Sequence, residues 1–193
     1  MVAWYTIRMR VLLICGSVAQ KSHTRALVSH IEELLKQAGA KTEVWDLKTQ
    51  PIPIVLPEYH QDPTKNPDVS VQKFVQSVEN ADAIVLGTPL YHGSYSGVLK
   101  NALDNLRGNA FKTKWVGLAG NTGSLRADMV AFSHLRHVVN TLVGYTIQTM
   151  VKTNEDDYEE VSGRYMVKSP TVLDRTVRFV QELTTVPSFK KSA

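Results

Sequence analysis

The sequence predicts one α/β domain, a doubly wound parallel sheet with amphipathic helices on both faces. Three observations carry this. Short runs such as Val11–Cys15 and Ala83–Gly87 are apolar at every position, which fits strands buried on both sides. Segments with apolar residues at helical spacing stand between such runs. The two kinds alternate five times along the chain, with no internal repeat or low-complexity segment.

The first strand is Val11–Cys15. Leu27, Ile31, Leu34, Leu35 and Ala38 then mark a helix, and Gly39 is its natural stop. Thr42–Leu47 reads as the second strand. Pro51 to Pro67 is Pro-rich and reads as a long irregular connection. Val71, Phe74, Val75 and Val78 return to helical period, with Asp68 or Ser70 as the cap. Ala83–Gly87 is the third strand, and Val98, Leu99, Ala102, Leu103 and Leu106 form the next helical stripe. Trp115–Ala119 is the fourth strand. A helix follows through Met129, Phe132, Leu135, Val138, Val139 and Leu142. Tyr145–Met150 reads as the fifth strand, Lys152–Tyr165 as a polar loop, and Val172, Leu173, Val177, Val180 and Leu183 as the last helix.

The bulk numbers fit one domain. The 193 residues are 43% hydrophobic and 21% charged, as expected of a folded globular chain. The single Cys15 excludes an intramolecular disulfide and any cysteine-built zinc or iron–sulfur site. It is compatible with a cytoplasmic location. No stretch of about 18 apolar residues appears. The apolar run after Arg10 is shorter than the roughly 7–15 residues of a signal core. Met9 stands just before the first strand, so translation starts at Met1 or Met9. Residues 1–8 are expected to be an extension, 9–186 the domain, and 187–193 a tail. The net charge of +4 is scattered, with only Lys190 and Lys191 adjacent, which argues against a nucleic-acid partner and suits an anionic ligand.

In a doubly wound sheet, ligands sit beyond the carboxyl ends of the strands. Three loops leave those ends. The first runs from Gly16 through Ser17, Ser22, His23 and Thr24 into a helix. Its hydroxyls and the free N–H groups of the helix start suit a phosphate monoester; the same residues also serve as an ordinary helix cap. It lacks both the Walker lysine pattern and the dinucleotide glycine pattern. The second begins "TPLYHGSYSGVLKNALDNL" at Thr88. Pro89 is expected to fix a turn, and Gly93 and Gly97 to let a flat ligand approach the backbone. The alternative is a plain surface turn. The third, "AGNTGSLRAD" from Ala119, offers Asn121, Thr122 and the amides around Gly120 and Gly123.

These residues resemble the NADPH-dependent FMN reductases of the flavodoxin-like superfamily, including azoreductases and quinone or chromate reductases. The resemblance covers roughly Val11 to Gly144. Its most specific part is Gly87 to Leu106, with "GS....S.T" and "GNTGS" at the other two places. It implies a three-layer sandwich with five parallel strands in the order 2-1-3-4-5, and FMN at the switch point. It implies that Ser17, Ser22 and Thr24 hold the FMN phosphate. Pro89, Leu90, Tyr91, His92, Gly93 and Ser94 would line the isoalloxazine, and Asn121, Thr122 and Gly123 its polar edge. It further implies a homodimer or homotetramer, with the Lys100–Asp104 helix in an interface. The chain departs from the family at Ala19, where many members carry a phosphate-binding arginine. Lys21 or Arg25 supplies the charge instead, or neutral donors suffice.

The expected mechanism is ping-pong: NADPH or NADH gives a hydride to flavin N5, leaves, and a small-molecule acceptor takes two electrons in its place. The chemistry belongs to the cofactor, so no catalytic side chain is expected. His92 is expected to pack or hydrogen-bond rather than transfer a proton. His134 and His137, one helical turn apart, lack further ligands nearby, and no metal site is expected. Arg126 is the one guess for a group that would hold a 2′-phosphate. Two other functions remain compatible with the fold: a flavodoxin-like electron carrier without NAD(P)H chemistry, and a flavin-free scaffold.

Overall fold

The computed structural model describes residues 9–123 and 130–187. The sheet contains five parallel strands: β1 (Arg10–Cys15), β2 (Lys41–Asp46), β3 (Ala83–Tyr91), β5 (Trp115–Asn121) and β6 (Tyr145–Thr153), in the order β2-β1-β3-β5-β6. A two-residue strand, β4 (Ser94–Tyr95), folds back antiparallel on the end of β3. The order is the expected one once this short strand is set aside. α1 (His23–Gln37) and α5 (Pro170–Thr185) cover one face, and α2 (Val69–Asn80), α3 (Gly97–Asp104) and α4 (Val130–Thr141) the other.

Strand periodicity explains the three layers. Along β1, Val11, Leu13 and Cys15 pack toward α1 and α5, while Leu12 and Ile14 pack toward α2, α3 and α4. β3 sorts in the same way, with Ala83 and Val85 on one side and Ile84 and Leu86 on the other. Successive side chains point to opposite faces, so a strand with helices on both sides needs an apolar residue at every position.

The helix ends follow their local chemistry. Ser22 caps α1 by accepting from the Arg25 N–H at 3.1 Å. At the other end Gly39 takes φ +87°, and the Ala40 and Gly39 amides reach back to Leu35 and Lys36, a Schellman closure. Asp68, not Ser70, caps α2. The Pro-rich connection contains two single-turn 3-10 helices, Pro57–Tyr59 and Pro63–Lys65. Asn101 of α3 ties it down: its Nδ2 donates to the Ile52 and Pro53 carbonyls, and its Oδ1 accepts from the Val55 N–H.

Three expectations need correction. The third strand does not stop at Gly87 but runs on to Tyr91, so Pro89 is a strand residue rather than a turn. β1 pairs with β3 only as far as Gly87, so the missing Pro89 N–H breaks no ladder bond on that side. Thr24 lies inside the first turn of α1, not in the loop before it. Lys152–Tyr165 is not a loop: β6 continues to Thr153, Glu155–Asp157 form a 3-10 turn, and β7 (Tyr158–Val161) pairs with β8 (Arg164–Val167) as a hairpin.

β6 also carries an irregularity, since Val116 and Leu118 of β5 pair with Thr146 and Met150. The extra residues leave the Gln148 and Thr149 amides out of the ladder, and the Glu182 carboxylate of α5 accepts from both, at 2.6 and 2.9 Å.

Candidate active site

The carboxyl ends of β1, β3 and β5 open into one cleft of about 850 Å³. Ser17, Ser22 and Thr24 wall it from one side, Pro89 to Gly93 from another, and Asn121, Thr122 and Gly123 from the third. The three stretches singled out in the sequence therefore meet, as the parallel topology demands. Ser94 does not join the wall; its hydroxyl sits 3.3 Å from Nδ1 of His134 on α4. Gly97 is the first residue of α3 and does not line the cleft either. Arg126 lies outside the described residues.

The hydroxyl end is tightly wired. The Ser22 hydroxyl donates to Ser17 Oγ at 2.8 Å while accepting from the Arg25 amide. Ser17 is 2% exposed, and its oxygen is already an acceptor, so its own proton remains to be donated. The amides of the first turn of α1 open at the same place.

The cations expected here have other duties. Arg25 does not line the cleft. It lies behind the loop, bonded to Asp46 at 2.5 and 3.3 Å and donating to the Ser17 and Ala19 carbonyls at 3.0 Å each. Its side-chain bond to Asp46 raises its pKa further. Lys21 does line the cleft, but its ammonium sits 2.7 Å from Glu160 of β7. The loop is thus braced by one arginine from behind and strapped to the hairpin by one lysine in front.

Between the loops, buried polar bonds replace side-chain bulk. Gly16 N–H donates to the Gly87 carbonyl at 2.7 Å. Ser96 caps α3 by accepting from the Leu99 amide, its hydroxyl donates to the Gly16 carbonyl at 2.7 Å, and its own N–H donates to Thr88 Oγ1 at 3.0 Å. A Cβ on Gly16 would lie 2.9 Å from Leu99 Cβ and 3.1 Å from Ser96 Oγ, so the close approach needs glycine. Burial pushes the neighbouring Cys15 thiol up to about 11, which keeps it protonated and unreactive near neutrality.

At the far side β3 and β4 are joined through His92 and Gly93, with φ of +49° and +78°. A two-residue hairpin with both φ positive is the type I′ turn. His92 therefore holds a backbone position, and its side chain is exposed. Nothing lies within 4 Å of a Cβ placed on Gly93, so this turn presents open backbone to the cleft, beside the half-exposed Tyr91.

Sequence reasoning missed some cleft residues. Val130 and Glu155 line it; so does His23, read only as part of the first loop, and it stacks on Tyr165 of β8 with ring centroids 3.9 Å apart. Burial lowers the His23 pKa, against a weaker raising effect of Glu155. The missed signal was the hairpin itself. Ser162-Gly163 between Tyr158–Val161 and Arg164–Val167 is a turn dipeptide, and its φ values of +51° and +79° repeat the type I′ geometry.

Residues 9–156 match the family model of the NADPH-dependent FMN reductases. The chain belongs to that family. It is accordingly an oxidoreductase, with FMN and NADPH as cofactors. The FMN-dependent NADPH-azoreductase of Staphylococcus aureus strain USA300 is 34% identical over 183 residues, covering 91% of this chain and 93% of that protein. Among solved structures, an NADH:FMN oxidoreductase in its apo form has a TM-score of 0.71 at 19% identity, covering 93% of this chain and 92% of that one. The NAD(P)H:quinone oxidoreductase of Methanothermobacter marburgensis has a TM-score of 0.68 at 21% identity, covering 91% and 99%. These two likenesses speak for the flavodoxin-like fold.

The cleft of this family member suits FMN in size and chemistry. One end is a set of hydroxyls at a helix start, which suits a phosphate monoester; the other has open backbone at Gly93, and Asn121 lines the cleft as well. Among the described residues no helix is long and apolar enough to cross a membrane.

Proposed function

We propose that this chain is an NAD(P)H-dependent reductase that holds FMN in the cleft and passes two electrons, in ping-pong order, to a quinone, an azo compound or a similar small acceptor. The observation that carries the reading is the single cleft joining the hydroxyls of Ser17, Ser22 and Thr24 to the β3–β4 turn and to Asn121. Ser17, Ser22, Thr24 and the first amides of α1 would hold the phosphate. Pro89 to Gly93 would flank the ring through backbone, and Asn121, Thr122 and Gly123 its polar edge; Ser94 would act through its bond to His134. Bound there, FMN would supply the hydride-transfer chemistry.

The protein's own part is to bind, orient and exclude. Arg25 fixes the carbonyls of the phosphate loop, so that the amides and hydroxyls of that loop face the cleft. Neutral donors then meet the phosphate in place of the arginine absent at Ala19. No acid–base side chain is required, and the open side beside Tyr91 admits nicotinamide and acceptor in turn. A homodimer or homotetramer with α3 in an interface, working in the cytoplasm, completes the reading; sedimentation velocity tests the assembly.

The deciding experiment is the absorbance spectrum of the protein with FMN, before and after anaerobic NADPH, followed by initial rates at varied NADPH and quinone. Bleaching and parallel double-reciprocal lines are expected. Flavin bound but not bleached by either nicotinamide would point to an electron carrier, and intersecting lines would overturn the ping-pong order.

A further inference from the structure

Tyr158 opens β7, two residues past the stretch that matches the family model. It is 5% exposed, and its hydroxyl lies 2.7 Å from Thr153 Oγ1. Thr153 closes β6, is 1% exposed, and stands opposite Asn121 in the β5–β6 ladder. Its Oγ1 is 3.0 Å from Asn121 Oδ1 and 3.3 Å from the Gly120 carbonyl.

A threonine hydroxyl has one proton. Both Asn121 Oδ1 and the Gly120 oxygen are acceptors, so that proton points to them, and the Thr153 oxygen accepts from the Tyr158 O–H. Burial pushes the Tyr158 pKa upward, so the phenol stays a donor. The bonds run one way, from Tyr158 to Thr153 to Asn121. With Oδ1 engaged, both N–H bonds of the Asn121 amide are left for the cleft that Asn121 lines. Without the phenol, a lone pair on Thr153 would be free to accept an amide N–H, and the amide could turn over and offer its oxygen to the ligand.

We propose that Tyr158 is a positioning residue: acting through Thr153, it holds Asn121 as a double N–H donor toward the polar edge of the flavin. This rests on the reading of the cleft as the FMN site. Donors aimed at that edge favour the cofactor when it carries negative charge, whereas an amide oxygen would oppose it. Thr153 and Tyr158 thus act on the site from outside the three strand-end loops.

The test titrates FMN, and riboflavin as a probe without phosphate, into the apoprotein and follows the quenching of flavin fluorescence. Tyr158→Phe is expected to weaken both about three- to tenfold and to make the midpoint potential of bound FMN more negative. In an Asn121→Ala background the same substitution is expected to change neither. Equal losses with and without Asn121 would show a merely structural role and overturn the proposal. In the apoprotein, the Asn121 side-chain NH₂ resonances are expected to move on Tyr158→Phe; unmoved resonances also overturn it. If the unsubstituted protein quenched neither flavin, the reading of the cleft would fall, while those resonances would still report on the hydrogen-bond chain.

Discussion

His92 shows how one backbone position sets a residue type. Its φ of +49° is uncommon for any residue with a Cβ, and asparagine tolerates it best. His92→Asn is therefore expected to stabilise the fold by roughly 0.5 kcal/mol without loss of flavin binding, read from the urea midpoint. A fall in midpoint would mean that the imidazole, not the turn, matters there. Arg25 makes the complementary point, since it braces the loop of Ser17 and Ala19 from behind. Arg25→Met keeps most of the apolar stem but frees the Ser17 and Ala19 carbonyls. It is expected to weaken FMN roughly tenfold and to leave riboflavin binding unchanged. Equal losses for the two flavins would show that the loop brace serves the ring as well as the phosphate.

At the scale of elements, the site depends on how closely neighbours approach. α5 docks on the sheet over Gly117, where a Cβ would lie 2.2 Å from Cζ of the fully buried Phe179. Gly117→Ala is expected to cost about 2–3 kcal/mol, and Phe179→Leu in that background to recover part of it, both measured by chemical denaturation. No recovery would mean that the strand, not the ring, resists the methyl. The β7–β8 hairpin is a second docking problem. It leans on the loop before α1 and on the start of that helix through the Lys21–Glu160 ion pair and the His23–Tyr165 stack. Both ends of the ion pair are well exposed, so the ring stack and the buried Tyr158 matter more to the hairpin's position.

Across the whole molecule, burial sets the response to acid. His30 of α1 lies against Thr176 of α5, its Nε2 3.0 Å from the threonine Oγ1. The Thr176 hydroxyl donates to the Leu173 carbonyl, so Nε2 is the donor in that contact. Burial lowers the His30 pKa, opposed by Glu33, and burial also lowers that of His23. The unfolded chain therefore takes up these protons first. Their contribution is complete above the ordinary histidine value of about 6.5 and is lost as pH falls through the lower folded values. Glu182 follows at lower pH. Burial raises its pKa, but the bonds from Thr149 and Gln148 outweigh that and hold it below the usual range, so its contribution fades only in more acid solution. Melting temperature is expected to fall between pH 7 and pH 5, and His30→Gln to flatten that part of the curve. An unchanged slope in the variant would remove His30 from the account.

The amino-acid sequence by itself determined the alternation of buried strands and amphipathic helices, hence a parallel sheet, hence the edge at which three loops meet. Those are local or period-based properties, and unbroken runs such as Val11–Cys15 leave few other solutions. It also determined the donors of the cleft, because hydroxyls, glycines and a proline are legible wherever they stand. What it left open depends on partners far apart in the chain. Nothing local to Arg25 says that Asp46, at the end of another strand, turns it behind the loop. The hairpin has mostly exposed positions, so its strands carry almost no apolar alternation to read. Asn121, Thr153 and Tyr158 become a hydrogen-bonded line only when β5 and β6 pair and the hairpin closes over their ends. Tertiary structure decided these because the direction of a hydrogen bond depends on which groups are buried together, and burial is a property of the folded chain as a whole.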